Sequence, residues 1–167
     1  KVSGTKIDSL EGDLMIFKGN KSIHQVTAVE EGERILVTFN YNEAEGISLS
    51  PEGNLFVADS CKHRIQIFEA DGTFLRSIGK AGTARGEFSY PYDIRVDELG
   101  YQYVCEFGNS RLTILDSNSQ VIEIIGRPGN LPGEFNNPWS LALDSKGNLY
   151  VADSQNHRVQ KFIRKKT

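Results

Sequence analysis

"GNLYVADSQNHRVQKF", residues 147–162, is nearly a copy of "GNLFVADSCKHRIQIF", residues 53–68. The copies differ by Tyr150 for Phe56, Gln155 for Cys61, Asn156 for Lys62, Val159 for Ile65 and Lys161 for Ile67. The leading glycine recurs as Gly53, Gly100 and Gly147, at a constant interval of 47 residues (53 to 100, 100 to 147). At that spacing Asp59, Glu106 and Asp153 share one column, and Arg64, Arg111 and Arg158 another. "RGEF" at 85–88 answers "PGEF" at 132–135, and Pro91 answers Pro138. Self-similarity at a fixed period of about 20–50 residues marks a repeat architecture.

Each unit reads as short strands. "GISLS" (46–50), "DIRVD" (93–97) and "SLALD" (140–144) alternate apolar with small or polar residues, the period-2 pattern of a half-buried strand. A glycine turn ("PEG", "DELG", "SKG") leads to "NLFVAD", "YQYVCE" and "NLYVAD", and a polar turn to "HRIQIF", "SRLTIL" and "HRVQKF". A fourth strand follows as "FLRSIG" and "VIEIIG", whereas the third unit ends at "IRKKT" with its fourth strand missing or very short. Four antiparallel strands per unit, with no helix-period segment between them, predict an all-β fold of β-propeller blades. Leu55, Val57, Ile65, Ile67, Phe68 and their counterparts 47 and 94 residues on are the expected core, with Lys161 a departure.

At 167 residues the chain suits one domain with a real core. Nineteen basic against twenty-two acidic residues give a net charge of −3, which argues against broad attraction to a phosphate backbone. No apolar run is long enough for a membrane helix, and no apolar signal-peptide core stands near the start. The chain opens at Lys1 rather than Met, as a processed or excised piece would. Two cysteines, Cys61 and Cys105, in different columns of the repeat, suit a reduced, cytoplasmic protein and form no CxxC zinc motif.

With its preceding "PGEFNxP" and a strand ending in Asp, the pattern "GxLYVADxxNHRVQxF" resembles the NHL repeat, over residues 44–163. The likeness is strong in the first and third units. In the second, "VCEFGNSR" stands for "VADSQNHR", with Glu106 for Asp, Ser110 for His, and Phe107 entering the turn. The "N-H-R" turn is intact only at Asn156–Arg158. The resemblance implies a propeller, usually of six blades in this family, and a binding or scaffold role toward a protein or peptide without a cofactor. Two other precedents in proteins of this kind are a peptidyl-hydroxyglycine lyase with histidine-held zinc and an RNA-binding basic face. Three histidines and an acidic balance speak against both here, although "RKK" (164–166) offers a local basic contact.

Residues 1–44 break the register and are read as a divergent N-terminal β segment, with blades over 45–167. As a degenerate blade, "DLMIF", "SIHQVTAV" and "RILVTFNY" supply strands. Residues 11–42 also resemble the C-terminal motif "GDLxxFxGxxxxHxVxxVxxGxR" of iron- and 2-oxoglutarate-dependent oxygenases. That resemblance implies Fe(II) at His24 and the cosubstrate carboxylate at Arg34. The upstream His-x-Asp or His-x-Glu half of such an iron site is absent from the sequence, and 23 residues before His24 leave no room for half a jelly roll.

Within the repeat, an acid at the end of the second strand and an arginine five residues on can pair across the hairpin. That makes Asp59–Arg64, Glu106–Arg111 and Asp153–Arg158 structural pairs, or leaves Arg64, Arg111 and Arg158, with His63 and His157 beside them, as ligand contacts on the loop face. No Gly-rich phosphate loop, GxSxG elbow or HExxH appears. An incomplete ring would expose strand edges and apolar blade faces. Closure by residues 1–44, or a homo-oligomer in which two chains complete one ring, is the corresponding expectation.

Overall fold

The computed structural model describes residues 44–164, together with the paired segments β1 (Thr27–Ala28) and β2 (Ile35–Leu36). Thr27 faces Leu36 and Ala28 faces Ile35 in antiparallel register. The remainder of the strands expected in "DLMIF", "SIHQVTAV" and "RILVTFNY", and the residues His24 and Arg34, lie outside the described residues.

The repeat folds as three antiparallel sheets. The first contains β3 (Ala44–Leu49), β4 (Leu55–Asp59), β5 (Arg64–Phe68) and β6 (Phe74–Ile78) in chain order. The second contains β7 (Pro91–Val96), β8 (Gln102–Glu106), β9 (Arg111–Leu115) and β10 (Val121–Ile125). The third has three strands: β11 (Ser140–Leu143), β12 (Leu149–Asp153) and β13 (Arg158–Phe162). Each expected strand lies within a residue or two of its place in the sequence pattern. The only helical turns among the described residues are 3₁₀ segments at Ser60–Lys62 and Ser154–Asn156, inside the expected polar turns.

Local chemistry explains the hairpins. Asp97 and Asp144 accept backbone N–H bonds two and four residues ahead through one carboxylate oxygen, closing the turns between first and second strands. Gly100 and Gly147 sit in those turns at φ +80 and +76, where a side chain would strain the backbone. The turns after the second strands end in left-handed His63, Ser110 and His157. That accounts for the histidine column: it is a turn position, and Ser110 fills it without disturbing the backbone.

The blades pack face to face. Phe56, Ala58, Ile65 and Ile67 of the first meet Ile94, Val104 and Leu115 of the second around Phe88. Tyr103, Cys105, Leu112 and Ile114 of the second meet Leu141, Leu149 and Val151 of the third around Phe135. The phenylalanines of "RGEF" and "PGEF" are thus wedges between blades. Each ring lies so close to Gly79 or Gly126 that a Cβ there would fall 2.1 or 2.3 Å from it. The first strands also touch one another: Asp93 accepts from Ser140 Oγ at 2.6 Å and the Leu141 amide at 3.0 Å, and Ser48 Oγ accepts from the Val96 amide. They are therefore the innermost strands of the array.

Two core expectations are corrected. Leu55 and Phe68 are only half-buried, and Phe56 and Ala58, not named in the expected core, are buried. Phe56 and Ala58 lie on the face that packs against the second blade. Val159, expected in the core, is 68% exposed, and Lys161 is exposed beside it. Their counterparts Leu112 and Ile114 are covered by the third blade, whereas no strand among the described residues follows β13 to cover Val159.

Candidate functional site

Because Pro91 pairs with Glu106 and Ala44 with Asp59, the loops entering first strands and leaving second strands share one end of the blades. The acid–arginine columns stand at this end. Arg64 Nε donates to Asp59 Oδ2 at 2.8 Å, Arg111 Nε to Glu106 Oε1 at 2.7 Å and Arg158 Nε to Asp153 Oδ2 at 2.8 Å. Arg111 also donates to the Thr83, Ala84 and Glu87 carbonyls, and Arg158 to those of Asn130, Leu131 and Glu134. Both guanidinium groups thereby pin the loop that precedes their own blade.

The acids are buried and crowded with donors. Glu106, fully buried, accepts from Arg111, Thr113, Asn109 and the Ser89 amide. Asp153 accepts from Arg158, Asn156, Gln160 and the Asn136 amide. Burial alone would raise the Asp153 pKa, but these bonds outweigh it and hold the carboxyl below the usual aspartate value. Asp59 accepts from Arg64 and Gln66 through Oδ2, while its buried Oδ1 has no partner among the described residues. His63 Nδ1 accepts from the Tyr90 amide, and its ring meets the Tyr90 ring edge-on at 4.5 Å. His157 is exposed in its turn.

What the sequence reading missed is an aromatic cluster at the same end. Tyr92 and Phe107 stack with centroids 4.5 Å apart and planes within 18°. Trp139 stands edge-on to both, at 5.1 and 5.9 Å. Trp139 is 52% exposed and Tyr90, beside the cluster, 45%. Phe107 occupies the column of Ser60 and Ser154, and Tyr92 and Trp139 share a column with Glu45. That column carried the missed signal: large aromatic residues at the mouth of two successive innermost strands.

The cluster is held by backbone. The Phe107 amide donates to the Tyr90 carbonyl and the Phe107 carbonyl accepts from Asn137 Nδ2. Asn137 in turn donates its amide to Ser110 Oγ. Tyr90 adopts φ +46, costly for a bulky residue, and is fixed there by its bonds to His63 and Phe107. A shallow cleft of about 360 Å³ borders this turn, lined in part by Gly108, Asn109, Arg111 and Arg127. Burial, then the nearby Glu45 carboxylate, raises the Tyr92 pKa. Among the described residues no group of histidine, cysteine, aspartate or glutamate side chains is arranged to hold a metal ion. No helix among them is long and apolar enough to cross a membrane.

Against this geometry the comparisons are specific. The NHL repeat family model matches residues 41–68 and 135–162, two segments 94 residues apart that end in the third strands of blades one and three. The first and third blades are NHL repeats. The chain is similar to "Protein brain tumor" of Drosophila melanogaster, at 31% identity over 65 residues, 39% of this chain and 6% of that protein. By structure, the chain resembles a streptogramin B lyase at TM-score 0.59 and 15% identity, over 76% of this chain and 39% of that one. A catalytically inactive virginiamycin B lyase from Staphylococcus aureus with Quinupristin matches at 0.57 and 14%, over 81% and 47%. A gluconolactonase from Xanthomonas campestris matches at 0.53 and 16%, over 74% and 39%. The chain therefore spans less than half of each of these proteins. At such identities the likeness carries the propeller fold and nothing of the chemistry.

Proposed function

We propose that the chain is the blade array of a noncatalytic NHL propeller that binds a protein or peptide partner on the loop end of its innermost strands. The observation that carries this reading is the backbone-fixed cluster of half-buried Tyr92 and Phe107 with exposed Trp139. Aromatic side chains give large contact area at little conformational cost, and are enriched where interfaces concentrate their binding energy. In this reading the arginine–acid pairs are the frame that holds the loops, and His63 supports the margin of the site through Tyr90. The free face of the third blade, with Val159, is where a further blade or a second copy packs to complete a ring.

Trp139 is the single tryptophan of the sequence, so its emission reports on the site directly. A random peptide library displayed on phage and selected on the immobilised chain should enrich sequences that shift Trp139 emission. Trp139→Ala and Phe107→Ala should weaken those peptides by about tenfold or more while leaving the melting temperature nearly unchanged. If no peptide is enriched, or if both variants bind the enriched ones undiminished, the reading is wrong.

A further inference from the structure

Accepting the aromatic end as a peptide site, the chemistry around the rings narrows what kind of peptide fits. Four modes of recognising an internal peptide segment recur in folded domains, and each needs a different surface. Strand addition needs an unpaired sheet edge; the cluster is built on loops and strand mouths, and the free edge of β13 belongs to another element. Docking of an amphipathic helix needs a long aliphatic groove, whereas this patch is made of rigid rings. Capture of a phosphate needs uncommitted arginines. Arg111 and Arg158 direct their guanidinium donors to carboxylates and main-chain carbonyls.

The fourth mode matches. A polyproline II segment leaves all its carbonyls without internal partners and presents flat pyrrolidine rings. The patch offers the complements of both. Tyr90, Tyr92 and Trp139 supply ring faces and edges, and their hydroxyl and indole N–H groups bond to no other described residue. Rigid rings against a pre-extended chain lose little conformational entropy on binding. The exposed Glu45 shares the column of Tyr92 and Trp139, at the mouth of β3, the innermost strand beside β7. A carboxylate at the rim of an aromatic patch favours a basic side chain that can pair with it while lying over a ring.

We infer that the segment recognised here is a proline-rich stretch in polyproline II conformation, flanked by an arginine or lysine that meets Glu45. The test is a Trp139 fluorescence titration of the full chain with peptides of about ten residues built on Arg-x-x-Pro-x-x-Pro, each compared with its Pro→Ala version. Saturable binding should weaken about tenfold or more when the prolines are replaced, and calorimetry, which needs no tryptophan signal, should show the same loss in the Trp139→Ala protein. Tyr92→Phe, which removes only a hydroxyl, should weaken binding several-fold with the fold intact. Glu45→Gln should weaken the arginine peptide several-fold and a version lacking the arginine hardly at all.

Equal binding of the proline and alanine peptides, or no binding of either, overturns the inference. In that case, library peptides without proline that still depend on Trp139 would leave the peptide-binding reading standing. Single-stranded RNA oligonucleotides that quench Trp139 where no peptide does would overturn both.

Discussion

The second and third blades are built on one sequence pattern, yet the same columns do different work in each. The second is the least faithful copy and the most deeply buried: every residue of β8 and β9 is covered, and the Glu106–Arg111 pair is nearly sealed from water. The third keeps the motif intact but leaves its outer face open, with Val159 exposed and Arg158 more accessible than Arg111. Even the turn aspartates differ. Both accept from the tyrosine six residues on, but Asp144 also takes the side chain of its neighbour Asn148, whereas Asp97 takes that of Arg164, far along the chain. A column of a repeat therefore fixes geometry, and the energetic weight of that geometry depends on what stands on either side.

The largest expected contrast is at the acid. Glu106→Ala strands Arg111 in a buried site and should cost about 3–5 kcal/mol, as breaking a buried pair does. Asp153→Ala leaves a guanidinium that water can reach, and should cost about 1–3 kcal/mol. Urea denaturation of both variants measures the gap, and equal losses would mean that neighbouring blades do not set the weight of the pair.

Next in size is the apolar column. Leu112→Ala should destabilise by about 2–5 kcal/mol through lost burial and the cavity left behind. Its counterpart Val159→Ala should stay within about 0.5 kcal/mol in the isolated chain. A large loss at Val159 would show that something covers the third blade in solution, and sedimentation of the same sample would tell whether a second copy does.

The smallest effect is a titration. The side chain of Asn148, then its amide, holds the Asp144 carboxyl at about 2, below the usual aspartate value. A depressed folded pKa adds stability that is present above the unfolded value near 4 and fades as pH falls toward about 2. An NMR titration should find that midpoint, and Asn148→Ala should raise it. If it stays put, the turn does not rest on that side chain.

Much of this molecule was legible in its sequence because the interactions concerned are local and periodic. Strand positions, glycine turns and the pairing of each second-strand acid with the arginine five residues on all repeat at the same offset, and a hairpin forces those residues together. The burial of Phe56 and Ala58, the exposure of Val159 and the further carbonyl partners of Arg111 and Arg158 lay beyond that reach, since each depends on a neighbouring blade or on the loop before it. The aromatic end shows the same division. Phe107 stands out in the sequence as an intruder in a serine column, but its stack on Tyr92 and contact with Trp139 join residues from two blades. The sequence by itself determined what each blade is, through hydrogen-bonded turns and strand alternation within one unit. The tertiary structure alone decided which faces are dry and which rings meet, because burial and ring contact are properties of the space between units.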